Sequence, residues 1–136
     1  MELEIRDSRI LSILDANSEI EVVGAGFEFT EGPVWDHNNR TLIFSDMPGN
    51  KMRIWTKANG VESYRNPSNM ANGNAYDNLG RLVSCEHATS RITRTEKNGE
   101  IKVLASHYEG KELNSPNDII VSKNGVIYFT DPTFGR

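Results

Sequence analysis

The sequence predicts an all-β fold, a β-propeller of four-stranded antiparallel blades, on three observations. First, three short segments look alike: TLIFSD (41–46), RLVSCE (81–86) and VIYFTD (126–131). Each ends on an acid, at Asp46, Glu86 and Asp131, so the spacings are 40 and 45 residues, the period expected of a propeller blade. Second, each is preceded by a turn of the Asn/Gly kind that joins antiparallel strands: DHNNR, DNLGR and SKNGV. Third, the segments between are short and rich in Val, Ile, Tyr, Phe and Thr, as strands are. Helical arrays of similar period need amphipathic helices. Here the one plausible helix is a brief stretch near SRILSIL (8–14), so such arrays are set aside. The remaining alternative is an all-β sandwich with accidental internal similarity.

The elements follow in order. Residues 1–18 read as an N-terminal extension with that short helix. EIEVV (19–23) resembles an outermost strand without a blade of its own, so a closing strand is expected over 19–24, of the kind propellers lend to their last blade. Blade 1 covers 31–65: GPVWD innermost, then TLIFSD, then the strand in KMRIWTKANG (51–60), then GVESY (60–64). Blade 2 covers 72–105 in the same order, with GNAYD, RLVSCE, SRITRTEKNG (90–99) and EIKVL (100–104). NDIIV and VIYFTD supply half of a third blade over 116–136. The partial propeller domain is therefore 19–136. It offers roughly two and a half blades where a closed ring needs at least about four. Open sheet edges invite pairing. The remaining blades are expected from a second polypeptide, another copy of the chain, or more of a longer protein.

Composition narrows the function classes. With 15 basic against 19 acidic residues the formal charge is −4, which gives no reason to expect nucleic acid or an anionic membrane as partner. No stretch approaches the ~18 apolar residues of a membrane span, and the start, MELEIRDSR, lacks the apolar core of a signal peptide. Cys85 is the single cysteine. That fits a reducing compartment, and a cytoplasmic location is the expectation.

The repeat also aligns three polar residues. Asn72 lies eight residues before Gly80, Asn117 eight before Gly125, and Glu31 nine before Arg40, the longer turn accounting for the difference. Glu31, Asn72 and Asn117 thus occupy equivalent places at the start of the innermost strand. In a propeller those strands line the central channel. A carboxylate and amide carbonyls meeting at the channel mouth make a hard-oxygen site suited to Ca²⁺ or a similar divalent cation. Capping of turns is the competing explanation, and for Asn72 alone it is at least as good.

Taken together, FTEGPVWD, LIFSD, GNAYDNLGRLVSCEH and NSPNDIIVSKNGVIYFTDPTFG resemble the gluconolactonase branch of the regucalcin/gluconolactonase family, over nearly all of 19–136. The third motif is the most distinctive, and the likeness reaches the N-terminal half of the family's chain. The resemblance implies a six-bladed propeller that hydrolyses sugar lactones or related esters with a divalent metal on its axis. It implies that Glu31, in the EGP motif, binds the metal, and that Asn117, in PND, lies at the metal or contacts substrate beside it. Asp118 matches an acid that helps hold a second, structural calcium in the related paraoxonases. Here it serves either the substrate side of the site or the strand start. Paraoxonases also place a histidine pair near the metal. This chain has Asn72 where the first would lie and His87 near the second, so that dyad is not intact. The family's remaining ligands and its candidate general base come from later blades, so the catalytic base is expected outside this chain.

The resemblance also implies the cofactor and chemistry. Ca²⁺ is the expected metal, with Mg²⁺, Mn²⁺ and Zn²⁺ as alternatives, and a small-molecule lactone is the expected partner. The metal polarises the lactone carbonyl as water adds. Asn72, His87 and Asp118 are the expected substrate-side residues, with His87 contacting sugar hydroxyls or passing a proton to the leaving oxygen. Asp46 and Asp131 read as turn caps, and Cys85 as a buried strand residue. Trp35, Trp55, Phe44, Tyr128 and Phe129 read as packing between blades. Two other readings compete: a non-enzymatic scaffold fragment that associates to close its ring, and a calcium-binding regulator without hydrolase activity.

Overall fold

The computed structural model describes residues 4–134. A short 3-10 helix, Ser8–Ser12, opens the described chain, capped by Asp7, whose side chain accepts from the Arg9 N–H. Twelve strands follow: β1 (Thr30–Asp36), β2 (Thr41–Asp46), β3 (Lys51–Thr56), β4 (Gly60–Arg65), β5 (Ala71–Tyr76), β6 (Leu82–Glu86), β7 (Arg91–Thr95), β8 (Ile101–Ala105), β9 (His107–Tyr108), β10 (Lys111–Glu112), β11 (Ile119–Val121) and β12 (Ile127–Phe129). They form two four-stranded sheets, β1-β2-β3-β4 and β5-β6-β7-β8, and two hairpins, β9-β10 and β11-β12. Every pairing is antiparallel. The all-β blade architecture is therefore as the repeat predicts. No described helix is long and apolar enough to cross a membrane.

The blades meet face to face, and the apolar core lies between them. Ile43 and Met52 of the first sheet cluster with Ala71 and Leu82 of the second. Val83, Cys85 and Ile92 of the second cluster with Leu113 and Ile119 on the third-blade side. Strand alternation explains the division: along β6, Leu82 points to one junction and Val83 and Cys85 to the other. Covered on both faces, β6 is buried at all of its residues.

Three features add to the sequence reading. The five extra residues in the second spacing coincide with the hairpin β9-β10, inserted between blade 2 and the third pair of strands. Residues 19–24 form no strand and join neither sheet. Gly24 instead lies against Val61 of β4 and the ring of Phe27. A closing strand needs the last blade's edge, and neither four-stranded sheet supplies it. Among the aromatics, Trp35 and Tyr128 are 39% and 58% exposed, on faces outside the two junctions that the described strands form. Trp35 stacks at a tilt on Trp55 of its own blade, 6.3 Å between centroids, on the face opposite Val34, which packs toward blade 2. Phe44 also turns away from that junction and meets Phe27 edge to face, 5.1 Å between centroids. Phe129 does pack against the second core cluster.

Candidate active site

The innermost strands β1, β5 and β11 stand side by side, with β5 in the middle. Both complete blades begin with a bulge: the β1-β2 register shifts between Glu31 and Val34, and the β5-β6 register between Ala71 and Asn74. A bulge bends the strand and re-aims its side chains. The shift takes up Gly32 and Pro33 in the first blade and Asn72 and Gly73 in the second, within one residue of the same place in each repeat.

The glycines make the row of strand starts. A Cβ on Gly32 would sit 2.1 Å from the Asn72 carbonyl oxygen, and its φ is +51°. A Cβ on Gly73 would sit 2.5 Å from the Asn117 carbonyl oxygen. Backbone can approach backbone that closely only without a side chain. The Gly73 N–H uses the approach to donate to the Asn117 carbonyl at 2.7 Å. Glu31, Asn72 and Asn117 therefore fall in one line across three blades, each beside the next.

A buried polar network backs this row. The Ser45 hydroxyl donates to the Asn72 carbonyl at 2.7 Å. Asn74 donates through Nδ2 to the Gly32 carbonyl, Ser45 Oγ and the Asn72 carbonyl at 2.9, 2.9 and 3.0 Å. Its Oδ1 accepts from the Ser84 hydroxyl at 2.7 Å. The sequence reading missed Asn74, Ser45 and Ser84. The available signal was a polar residue at an inward-facing position of GNAYD, where an apolar one is the rule.

His87 joins the row beside Asn72. It is buried, and its Nε2 lies 3.2 Å from Asn72 Nδ2. The amide nitrogen can only donate, so Nε2 accepts and the ring proton sits on Nδ1. Burial holds the His87 pKa below its usual value, and the nearby Glu31 carboxylate opposes that shift. Glu31 and Asn117 are half-buried. Asp118 is exposed. Its carboxylate accepts from the N–H of Ile119 at 2.9 Å, and its own N–H donates to Thr130 Oγ1 at 3.0 Å, so it supports the start of β11. His107 is exposed on β9, with Nδ1 3.0 Å from Ser106 Oγ. The Cys85 thiol is pushed up to about 12, first by burial and then by the charges of Asp118 and Asp131, which leaves it inert as a nucleophile.

Among the described residues no three His, Cys, Asp or Glu side chains gather into a group that could hold a metal ion. The donors in the row are one carboxylate and amide oxygens. Their chemistry fits part of a hard-cation shell, short of the roughly six to eight oxygens that Ca²⁺ takes.

Stacked four-stranded sheets with a polar row at the starts of their innermost strands define this chain as part of a β-propeller. Residues 29–136 match the SMP-30/gluconolactonase/LRE-like region, and the chain belongs to that family. It is 36% identical over 141 residues to a gluconolactonase from Zymomonas mobilis, covering 93% of this chain and 40% of that protein. The structure of a gluconolactonase from Xanthomonas campestris is 42% identical, with a TM-score of 0.79 over 83% of this chain and 38% of that one. A virginiamycin B lyase from Staphylococcus aureus, 19% identical with a TM-score of 0.61 over 75% of this chain and 34% of that one, shares the fold. The chain thus spans 40% of the length of the curated gluconolactonase it matches.

Proposed function

We propose that this chain supplies the first blades of a divalent-metal-dependent sugar lactonase, and with them part of its active site. The observation that carries the reading is the row of strand starts, which aligns Glu31, Asn72 and Asn117 across three blades with His87 against Asn72. The membership of the gluconolactonase family supports the substrate class.

In this reading Glu31 and Asn117 hold the metal, Ca²⁺ by preference for oxygen donors, with Mg²⁺, Mn²⁺ or Zn²⁺ as alternatives. A metal bound there supplies Lewis-acid polarisation of the lactone carbonyl. Glu31 acts as ligand and not as base, since a coordinated carboxylate is a poor proton acceptor. Asn72, held by His87, offers its amide to substrate hydroxyls, and Asp118 lies on the same side at the start of β11. His87, neutral with its proton on Nδ1, takes part in orientation rather than charge stabilisation. The general base and remaining ligands come from blades supplied by a second polypeptide, another copy, or more of the same protein. Residues 19–24 close the ring against its last blade.

The test is hydrolysis of a sugar δ-lactone by the completed protein, before and after chelation and with each metal restored. Glu31→Gln and Asn117→Ala are expected to lower kcat/KM by at least about 100-fold. Full activity in chelator, or in Glu31→Gln, would sink the metal reading. Intact mass of the purified sample, native and then denatured, identifies where the remaining blades come from.

A further inference from the structure

An acid closes the second-strand segment of each repeat, Asp46 and Glu86 as the last residues of β2 and β6 and Asp131 two residues past β12, and the three acids share one contact. Asp46 Oδ1 accepts from the backbone N–H of Glu28 at 3.0 Å and of Phe29 at 3.4 Å. Glu86 Oε2 accepts from Asn69 Nδ2 at 3.0 Å. Asp131 Oδ2 accepts from the backbone N–H of Asn114 at 2.9 Å and from its Nδ2 at 3.2 Å. Glu28, Asn69 and Asn114 each lie three residues before Glu31, Asn72 and Asn117.

We infer that Asp46, Glu86 and Asp131 are positioning residues, clamps that fix where each innermost strand begins and so hold Glu31, Asn72 and Asn117 in line. This rests on the proposed function for what the row binds, but not for how the row is held. Caps on the acids' own turns would look different. The turn after Asp46 is closed by Asn50 N–H donating to the Met47 carbonyl, while the Asp46 carboxylate reaches back across the sheet to residues 28 and 29. Glu86 takes Thr89 from its own turn at 2.6 Å, yet also reaches back to Asn69.

A carboxylate suits the task because it accepts several donors at once. Asp46 also meets Arg53 of β3, 3.5 Å away. Glu86 also accepts from Arg91 of β7 at 2.8 Å. In these two repeats the acid therefore ties the second strand, the third strand and the lead-in segment together. The lead-in backbone needs such a tie. Asn69 and Met70 both have positive φ, +59° and +52°, and the Met70 N–H is held by Asn50 Oδ1 at 2.8 Å. Without anchors, residues so placed relax toward ordinary conformations.

Asp131 gives the cleanest test. Its clamp contacts are all to Asn114, and its Oδ1 is buried with no partner among the described residues. The consequence is read one blade away, at the Gly73 N–H, which donates to the Asn117 carbonyl at 2.7 Å. In the full 136-residue chain, amide hydrogen exchange is compared between wild type, Asp131→Ala and Asp131→Asn. In Asp131→Ala, Gly73 exchange is expected to accelerate about tenfold, with the β11-β12 ladder amides unchanged. Asp131→Asn keeps one oxygen for the Asn114 N–H and is expected to restore the wild-type rate. Unchanged Gly73 exchange in the alanine variant overturns the inference. Equal acceleration along β11 and β12 overturns it too, because Asp131 would then serve fold stability alone. If the alanine variant does not fold, Asp131→Ser, polar but too short to reach Asn114, carries the same expectation and the same refutation. The metal reading fails separately, in the chelation test of the completed protein, because Gly73 exchange is read without any metal.

Discussion

Glu86→Gln is the most informative single change. Glu86 is fully buried, and it is bonded to Arg65 at 2.5 Å, Thr89 at 2.6 Å, Arg91 at 2.8 Å, and Asn69 and Thr93 at 3.0 Å. Burial alone would raise its pKa. The hydrogen bonds from Thr89, Arg65 and Arg91, with the Arg65 charge, outweigh that and bring it to about 2, from a usual 4.5. A depressed carboxylate pKa contributes stability that is present above the unfolded value and is lost as acid carries the protein down through the folded value. Holding a pKa near 2 against 4.5 is worth about 3 kcal/mol at neutral pH. At pH 3 the unfolded chain is already protonated at this site and most of the folded chain is not, which leaves about 1 kcal/mol. Glutamine keeps the shape but leaves the two arginines without a counter-charge. Urea titrations followed by circular dichroism at pH 7 and pH 3 should therefore show a gap between wild type and Glu86→Gln that narrows by about 2 kcal/mol in acid. A gap of equal size at both pH values would refute the reasoning. The loss would then come from packing and not from the charge.

Other outcomes follow from the same contacts. Gly32→Ala should destabilise by about 2–4 kcal/mol, because its Cβ would meet the Asn72 carbonyl oxygen at 2.1 Å. Gly60→Ala, with φ +69° but nothing within 4 Å, should lose only about 1–2 kcal/mol, and urea midpoints compare the two. Asn74→Ala removes the side chain that joins Gly32, Ser45, Asn72 and Ser84. It should lose about 2–3 kcal/mol by the same measurement, since buried partners are left unpaired. The Cys85 thiol, at about 12 and fully buried, should resist a thiol reagent at pH 8 and react at once in denaturant.

Much of this structure is legible because a repeat is a covalent fact. The acids at 46, 86 and 131 and the polar residues at 31, 72 and 117 keep their offsets whatever the chain does, so the blade, the strand order and the row could be read together. What escaped has a different physical origin. Period-two alternation says that Val34 and Trp35 face opposite ways, but not which way blade 2 lies, so the sequence does not say that Val34 takes the junction with blade 2 while Trp35 stays outside it. The insertion β9-β10 is a break in the repeat and carries no periodic signal. The donors around Glu86 are scattered from Arg65 to Thr93. They meet through side chains across strands, which offsets along the chain do not reveal. Asn74 escaped because inward-facing strand positions are taken as apolar by default, whereas here the inner end of a junction is built from backbone contact and amide bonds.

That inner end also distinguishes the junctions from one another. Gly32 and Gly73 stand at the second position of the row, and each lets its blade touch the next one's carbonyl, at distances no Cβ could occupy. The third repeat has Asp118 at that position, exposed and bonded to its own strand. A further blade cannot approach Asp118 as blade 2 approaches Gly32 or as the third pair of strands approaches Gly73. Propagating the same junction around a ring is therefore blocked after the third strand start.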